Sequence, residues 1–182
     1  MAEKLISVAK KEGGKKGVDI VGMSDMGGVK YFNVVLESAN GDLTLMDAVL
    51  EGFNAPVDEA AEERKGGASG LGKMLLSAGD KTVALLCHIP KVLQEEKPDV
   101  KATEWMDKLV AAAGGKVAKR EDGEEVIKVL LEGDAENGHF PLKMRDAAQT
   151  AGFAFLREKK LIPDVDSDDD YIPDPESVGI EW

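Results

Sequence analysis

The stretch Thr82-Val83-Ala84-Leu85-Leu86-Cys87-His88-Ile89, closed by Pro90, decides the fold. A near-continuous apolar run of this kind suits a central strand covered on both faces, since a strand with one wet face would alternate apolar and polar residues. Outward from it, Lys116 to Glu121 and Glu125 to Glu132 bracket Asp122-Gly123, a pair that marks a hairpin. Val18 to Met23 and Val29 to Leu36, joined by Gly27-Gly28, read as a second hairpin, its later strand rich in β-branched and aromatic residues.

Helices are expected between these strands. Asn40-Gly41 tolerates positive φ and Asp42 can cap a helix whose Leu43, Met46, Val49, Leu50 and Phe53 form one apolar stripe. Thr103 can cap a second from Glu104 to Ala113, stopped by Gly114-Gly115. A third runs from about Pro141 to Lys160, with proline acceptable in a first turn. Two shorter helices are expected: Ala2 to Lys11, stopped by Gly13-Gly14, and one within Gly66 to Gly79 around Leu71, Met74, Leu75 and Leu76. Pro56 and the run Asp58 to Lys65 read as a charged connector.

The two hairpins and the helices after them resemble each other. Val34-Val35-Leu36-Glu37 and Val129-Leu130-Leu131-Glu132 are each followed by Asn-Gly and by a helix containing Asp-Ala and Gly-Phe. This is an internal repeat over about 18–54 and 116–155. Units with one apolar sheet face and one apolar helix stripe share a core when they lie side by side. The expected fold is α+β: about five strands, largely antiparallel, with helices packed over the sheet.

The chain has 182 residues, a length suited to one domain. Of its net charge of −12, a segment of eight acids and no base between Pro163 and Trp182 carries −8, leaving −4 for residues 1–162. Repelling charge with three prolines cannot form a packed core, so 163–182 reads as an extended acidic tail on a single domain spanning 1–162. That charge argues against nucleic acid as a partner. No apolar run is long enough for membrane insertion and no targeting signal precedes the body, so a cytoplasmic location is expected.

No signature of a cofactor or metal site is present. Gly67-Ala68-Ser69-Gly70-Leu71-Gly72-Lys73-Met74 imitates a phosphate-binding loop but lacks the preceding strand and the Ser or Thr after the lysine. Cys87 and His88, adjacent in a strand, point to opposite faces, and the lone thiol reads as a buried small hydrophobe. His139, in the Asn137-Gly138 loop, is the other histidine that could approach it. Asp164 to Asp169 imitate the start of a calcium loop without its glycine or closing glutamate. Asp47, Asp107 and Asp146 hold matching helix places and are expected to be solvated or paired with bases.

The tail carries more than charge. Tyr171, Ile172, Val178, Ile180 and Trp182 are spaced among the acids, as in a segment that docks extended on a basic groove. The sequence therefore points to a non-enzymatic adaptor or structural subunit, contacting proteins through helix surfaces and through Asp168, Asp169, Asp170, Tyr171, Ile172, Ile180 and Trp182. Ser167, before three aspartates, is a candidate phosphosite. The alternatives are a small-molecule or nucleotide module using the Gly-rich segment 66–72, and an enzyme without a readable motif, for example one using Cys87.

Overall fold

In the computed structural model, which describes residues 2–55 and 66–161, the run from Thr82 lies at the centre of a five-stranded sheet. Strand β3 (Thr82–His88) pairs antiparallel with β2 (Gly72–Ala78) on one side and with β5 (Val126–Glu132) on the other. Beyond β2 lies β1 (Tyr31–Val35), parallel to it; beyond β5 lies β4 (Lys116–Asp122), antiparallel. The chain is α+β with a mixed, largely antiparallel sheet, as its sequence led one to expect.

Both faces of the sheet are covered. On one, Met74, Leu76, Val83, Leu85, Cys87, Ile127, Val129 and Leu131 pack against α4 (Ala102–Ala113) and α5 (Pro141–Glu158). Short helix α3 (Lys91–Glu96), which the sequence reading did not anticipate, adds Leu93 to this core. On the other face, Phe32, Leu75, Ala84 and Leu86 meet Leu45, Met46, Val49 and Phe53 of α2 (Leu43–Asn54). Helix α1 (Ala2–Gly27) lies against α2 and adds Ala9 and Ile20. The Asp42 carboxylate accepts the Thr44 N–H at 2.7 Å, closing the start of α2 as its position suggested. Thr103 does not cap α4; Lys101 holds that place without a side-chain bond.

Two expected elements are exchanged. Ala2 to Lys11 does not stop at Gly13-Gly14, and Val18 to Met23 is not a strand: both lie in the single 26-residue helix α1. The glycines are where the α1 and α2 backbones touch. A Cβ on Gly13 would sit 2.0 Å from the Val49 carbonyl oxygen, and one on Gly52 2.2 Å from that of Lys10. Interior glycine costs a helix about 1 kcal/mol against alanine, and here close contact with α2 offsets it. Glu12 also ties α1 to the loop after β1 by accepting the Glu37 and Ser38 N–H groups at 3.0 and 2.9 Å.

The expected helix within Gly66 to Gly79 is instead strand β2. Its alternate residues feed both cores, and it supplies the backbone partners of β1 and β3. The sheet therefore keeps five strands with one member replaced. The first repeat unit consequently lacks its hairpin, and its helix α2 covers the opposite face from α5 of the last unit. The connector 56–65 and the tail 163–182 lie outside the described residues.

At the centre of one core, Trp105 is fully buried. It stacks on Phe155 (centroids 5.9 Å, planes 12° apart) and meets Tyr31 edge-on at 6.3 Å. Replacing it, Trp105→Ala, is expected to cost about 3–5 kcal/mol in chemical denaturation; a loss below about 1 kcal/mol would contradict this packing. The glycine contact predicts a contrast. Gly52→Ala should destabilise by roughly 1–3 kcal/mol or more through overpacking. Gly22→Ala, where a Cβ meets open space, should stabilise by up to about 1 kcal/mol.

Candidate functional site

Three polar places stand out among the described residues. The first lies where β2 begins and β3 ends. Lys73 and His88 are cross-strand neighbours on the α2 face, and both are buried. The Lys73 ammonium has no carboxylate partner among the described residues; its Nζ donates to the carbonyls of Ala68 and Leu71, each at 2.7 Å. The lysine that imitated a phosphate-loop residue thus turns back to hold the Gly-rich segment. Loss of hydration brings its pKa down to about 7, partly opposed by the Cys87 thiol.

His88 is pushed down to about 3, by burial first and by Lys73 second. Its Nδ1 is buried without a partner and its Nε2 lies 3.7 Å from Glu125. Neutral His88 keeps one ring proton, and burial beside Lys73 disfavours the addition of a second. The backbone of the Gly-rich segment is also engaged. Gly66, Gly67 and Ala68 N–H groups donate to Gly14, Ala55 and Phe53 carbonyls, and Gly72 donates to Lys30.

Cys87 faces the other core, as the strand alternation predicted, and burial pushes its thiol up, away from the reactive thiolate. His139 is not near it. That residue bridges Asp134 and packs against Gly114, at the Thr82 end of β3. Five residues of strand, roughly 16 Å, separate Thr82 from Cys87.

The second place is a cleft of about 480 Å³ at that Thr82 end, lined by Lys81, Thr82, Glu132, His139, Phe140 and Pro141. It opens where β1, β2 and β5 have their C-terminal ends and where α2 and α5 start. No sequence motif marks it, because its lining comes from two loops that only the β3–β5 pairing brings together.

The third is the helix surface. Asp47 pairs with Lys128 at 3.2 Å, Asp107 with Arg120 at 2.7 Å and Asp146 with Arg145 at 3.1 Å, so the three matching acids are paired with bases. Large apolar side chains are left outside: on α1 these are Leu5, Val8, Met23 and Met26, the last 91% exposed. Among the described residues no group of His, Cys, Asp and Glu is arranged to hold a metal, and no helix is long and apolar enough to cross a membrane. The tail residues Asp168, Asp169, Asp170, Tyr171, Ile172, Ile180 and Trp182, with Ser167, lie outside the described residues.

The depressed His88 pKa sets a pH dependence. The unfolded chain binds a proton at His88 below about 6.5 while the folded chain does not until about 3. The stability His88 contributes is therefore complete above 6.5 and lost as pH falls through this window, at about 1.4 kcal/mol per pH unit. Urea midpoints between pH 4 and pH 7 should fall more steeply for the native chain than for His88→Leu; parallel profiles would mean that His88 titrates normally. Comparison with protein-family models, with curated proteins and with solved structures returns no match, so the functional reading rests on the residues themselves.

Proposed function

We propose that this protein is a non-enzymatic adaptor or structural subunit that engages other proteins through its exposed helix faces and its acidic, aromatic-tipped tail. The observation that carries the reading is the division of side chains in the body. The buried titratable groups are sealed and turned inward, whereas apolar side chains that would stabilise the body if buried are kept outside. Leu5 and Val8 are 45% and 46% exposed on one helix. Scattered exposed apolar residues are ordinary, but several on one face of a helix suit a contact surface. A tail of alternating acid and apolar residues supplies long-range attraction to a basic groove through Asp168, Asp169 and Asp170, and short-range burial through Ile180 and Trp182. Phosphate at Ser167 would add to the attraction. A reducing, cytoplasmic location fits a single buried thiol.

A second reading, a small-molecule module, is favoured by one observation: the sheet-end cleft has a volume within the range of roughly 300–1,000 Å³ that ligand sites occupy. Nucleotides added at about 100 times a dissociation constant would stabilise such a module by about 2.7 kcal/mol in a thermal shift.

The test of the first reading is native co-purification with and without residues 164–182. The deletion should remove specific proteins from the recovered set. Trp182→Ala should mainly speed dissociation from them, and reversing the charges of Asp168 to Asp170 should slow association and flatten its salt dependence. A recovered set unchanged by the deletion would refute the tail as a binding arm.

A further inference from the structure

We propose that the first acids of the tail, Asp164 to Asp168, dock on the body of their own chain, in the groove along the start of α4. Helices α4 and α5 run antiparallel. Met144, near the start of α5, lies over Gly115, just past the end of α4. At the other end Lys159, just past α5, pairs with Glu104 in the first turn of α4 at 3.2 Å. Its Nζ also donates to the Asp99 carbonyl at 3.5 Å, and Leu161 shares a core with Val100. The described body therefore ends beside the N-terminus of α4, and the tail begins where this groove begins.

Two clefts meet there. One, of about 360 Å³, lies between the start of α4 and the β4–β5 turn and is lined in part by Val100, Lys101, Thr103 and Glu124. The other, of about 450 Å³, runs from Lys101 and Thr103 past Glu104, Asp107 and Lys108 to Ala111. Each carboxylate in this lining has a base: Glu104 has Lys159, Asp107 has Arg120 at 2.7 Å, and Glu124 has Lys91 at 4.0 Å. Lys101 and Lys108 are exposed and pair with no carboxylate among the described residues. The groove thus presents positive charge, and α4 begins without a side-chain cap, so the positive end of its dipole adds to it. The sheet-end cleft offers the reverse, because Lys81 there lies among Asp80 and Glu132, which pair with no base among the described residues.

The spacing of the acids suits the groove. Along an extended chain Asp164, Asp166 and Asp168 share one side, the outer two about 13 Å apart. Lys101 and Lys108, two turns apart on one side of α4, are separated by about 10 Å. The difference of about 3 Å is within the reach of a lysine side chain. The tether selects the chain's own body as the site. A segment joined a few residues from its site meets it at an effective concentration of about a millimolar, which a separate copy must match to compete. This goes beyond the tail as an arm for other proteins, since it gives the tail a resting place that a partner has to displace.

The test uses the purified full chain with a nitroxide attached at Ser167→Cys; Cys87 is fully buried and does not take the label. In one sample the ¹⁵N-labelled chain carries its own nitroxide. In the other, nitroxide-bearing chains without ¹⁵N are mixed with ¹⁵N-labelled chains that carry none. The expected result is paramagnetic broadening of the amides from Lys101 to Ala111 in the first sample and none in the second. A tethered tail that does not dock would also broaden its surroundings, so charge reversal decides. Lys101→Glu combined with Lys108→Glu, both at exposed sites, should lower the ratio of docked to free tail about tenfold and relieve the broadening from Lys108 to Ala111. Lys4→Glu combined with Lys11→Glu on α1 should change nothing. Broadening unaffected by the α4 reversal, broadening that stops short of Lys108, or broadening in the second sample would each overturn the proposal. Because the readout involves no other protein, it is independent of whether the tail deletion changes the co-purifying set.

Discussion

The β2–β3 ladder makes the chain a three-layer structure. Leu75, Leu76, Leu85 and Leu86 are fully buried although consecutive residues of a strand point to opposite faces. A sheet with two apolar faces cannot leave either in water, so helices are required above and below. The pair α4–α5 answers one face, and α2 with α1 packed against it answers the other. The order of the layers follows from this one demand, at roughly 25 cal/mol for each Å² of apolar surface removed from water.

The same demand explains how polar groups near the ladder are treated. Lys73 and Ser77 occupy the α2 face of β2 and are buried with Leu75. Each is satisfied by backbone: Ser77 Oγ accepts the Gly41 N–H at 3.0 Å, and Lys73 donates to two carbonyls. The Lys73 bonds tie the segment that enters β2 to its first turn, and the Ser77 bond ties the loop between β1 and α2 to its other end.

Much of the architecture was legible because it rests on local chemistry. The run from Thr82, the Asp122-Gly123 turn, the Asp42 cap and the stripe from Leu43 each state their structure within a few residues. The misread segments were those where glycine had a distant cause. Gly13 and Gly17 are helix breakers by propensity, and the approach of Val49, Phe53 and Gly66 makes their lack of side chain useful. Leu71, Met74 and Leu75 have helical spacing by accident, and the partners that make β2 a strand lie in β1 and β3. The Lys73–His88 neighbourhood and the sheet-end cleft were hidden for the same reason, being assembled by strand register. That Cys87 and His88 face apart needed only the period of a strand, and so it was visible from the start.

The β4 edge of the sheet bears on how such a protein can grow. Every residue of β4 is exposed, five of its seven carry charge, and a register shift between Val117 and Lys119 interrupts its pairing with β5. An unpaired strand edge is a template for further strands, and dense charge with a bulge spoils that template. Polymerisation by strand addition is blocked at this boundary. A surface that meets this edge must do so through side chains, whose contacts are finite and reversible, and not through the open-ended backbone pairing that leads to fibres.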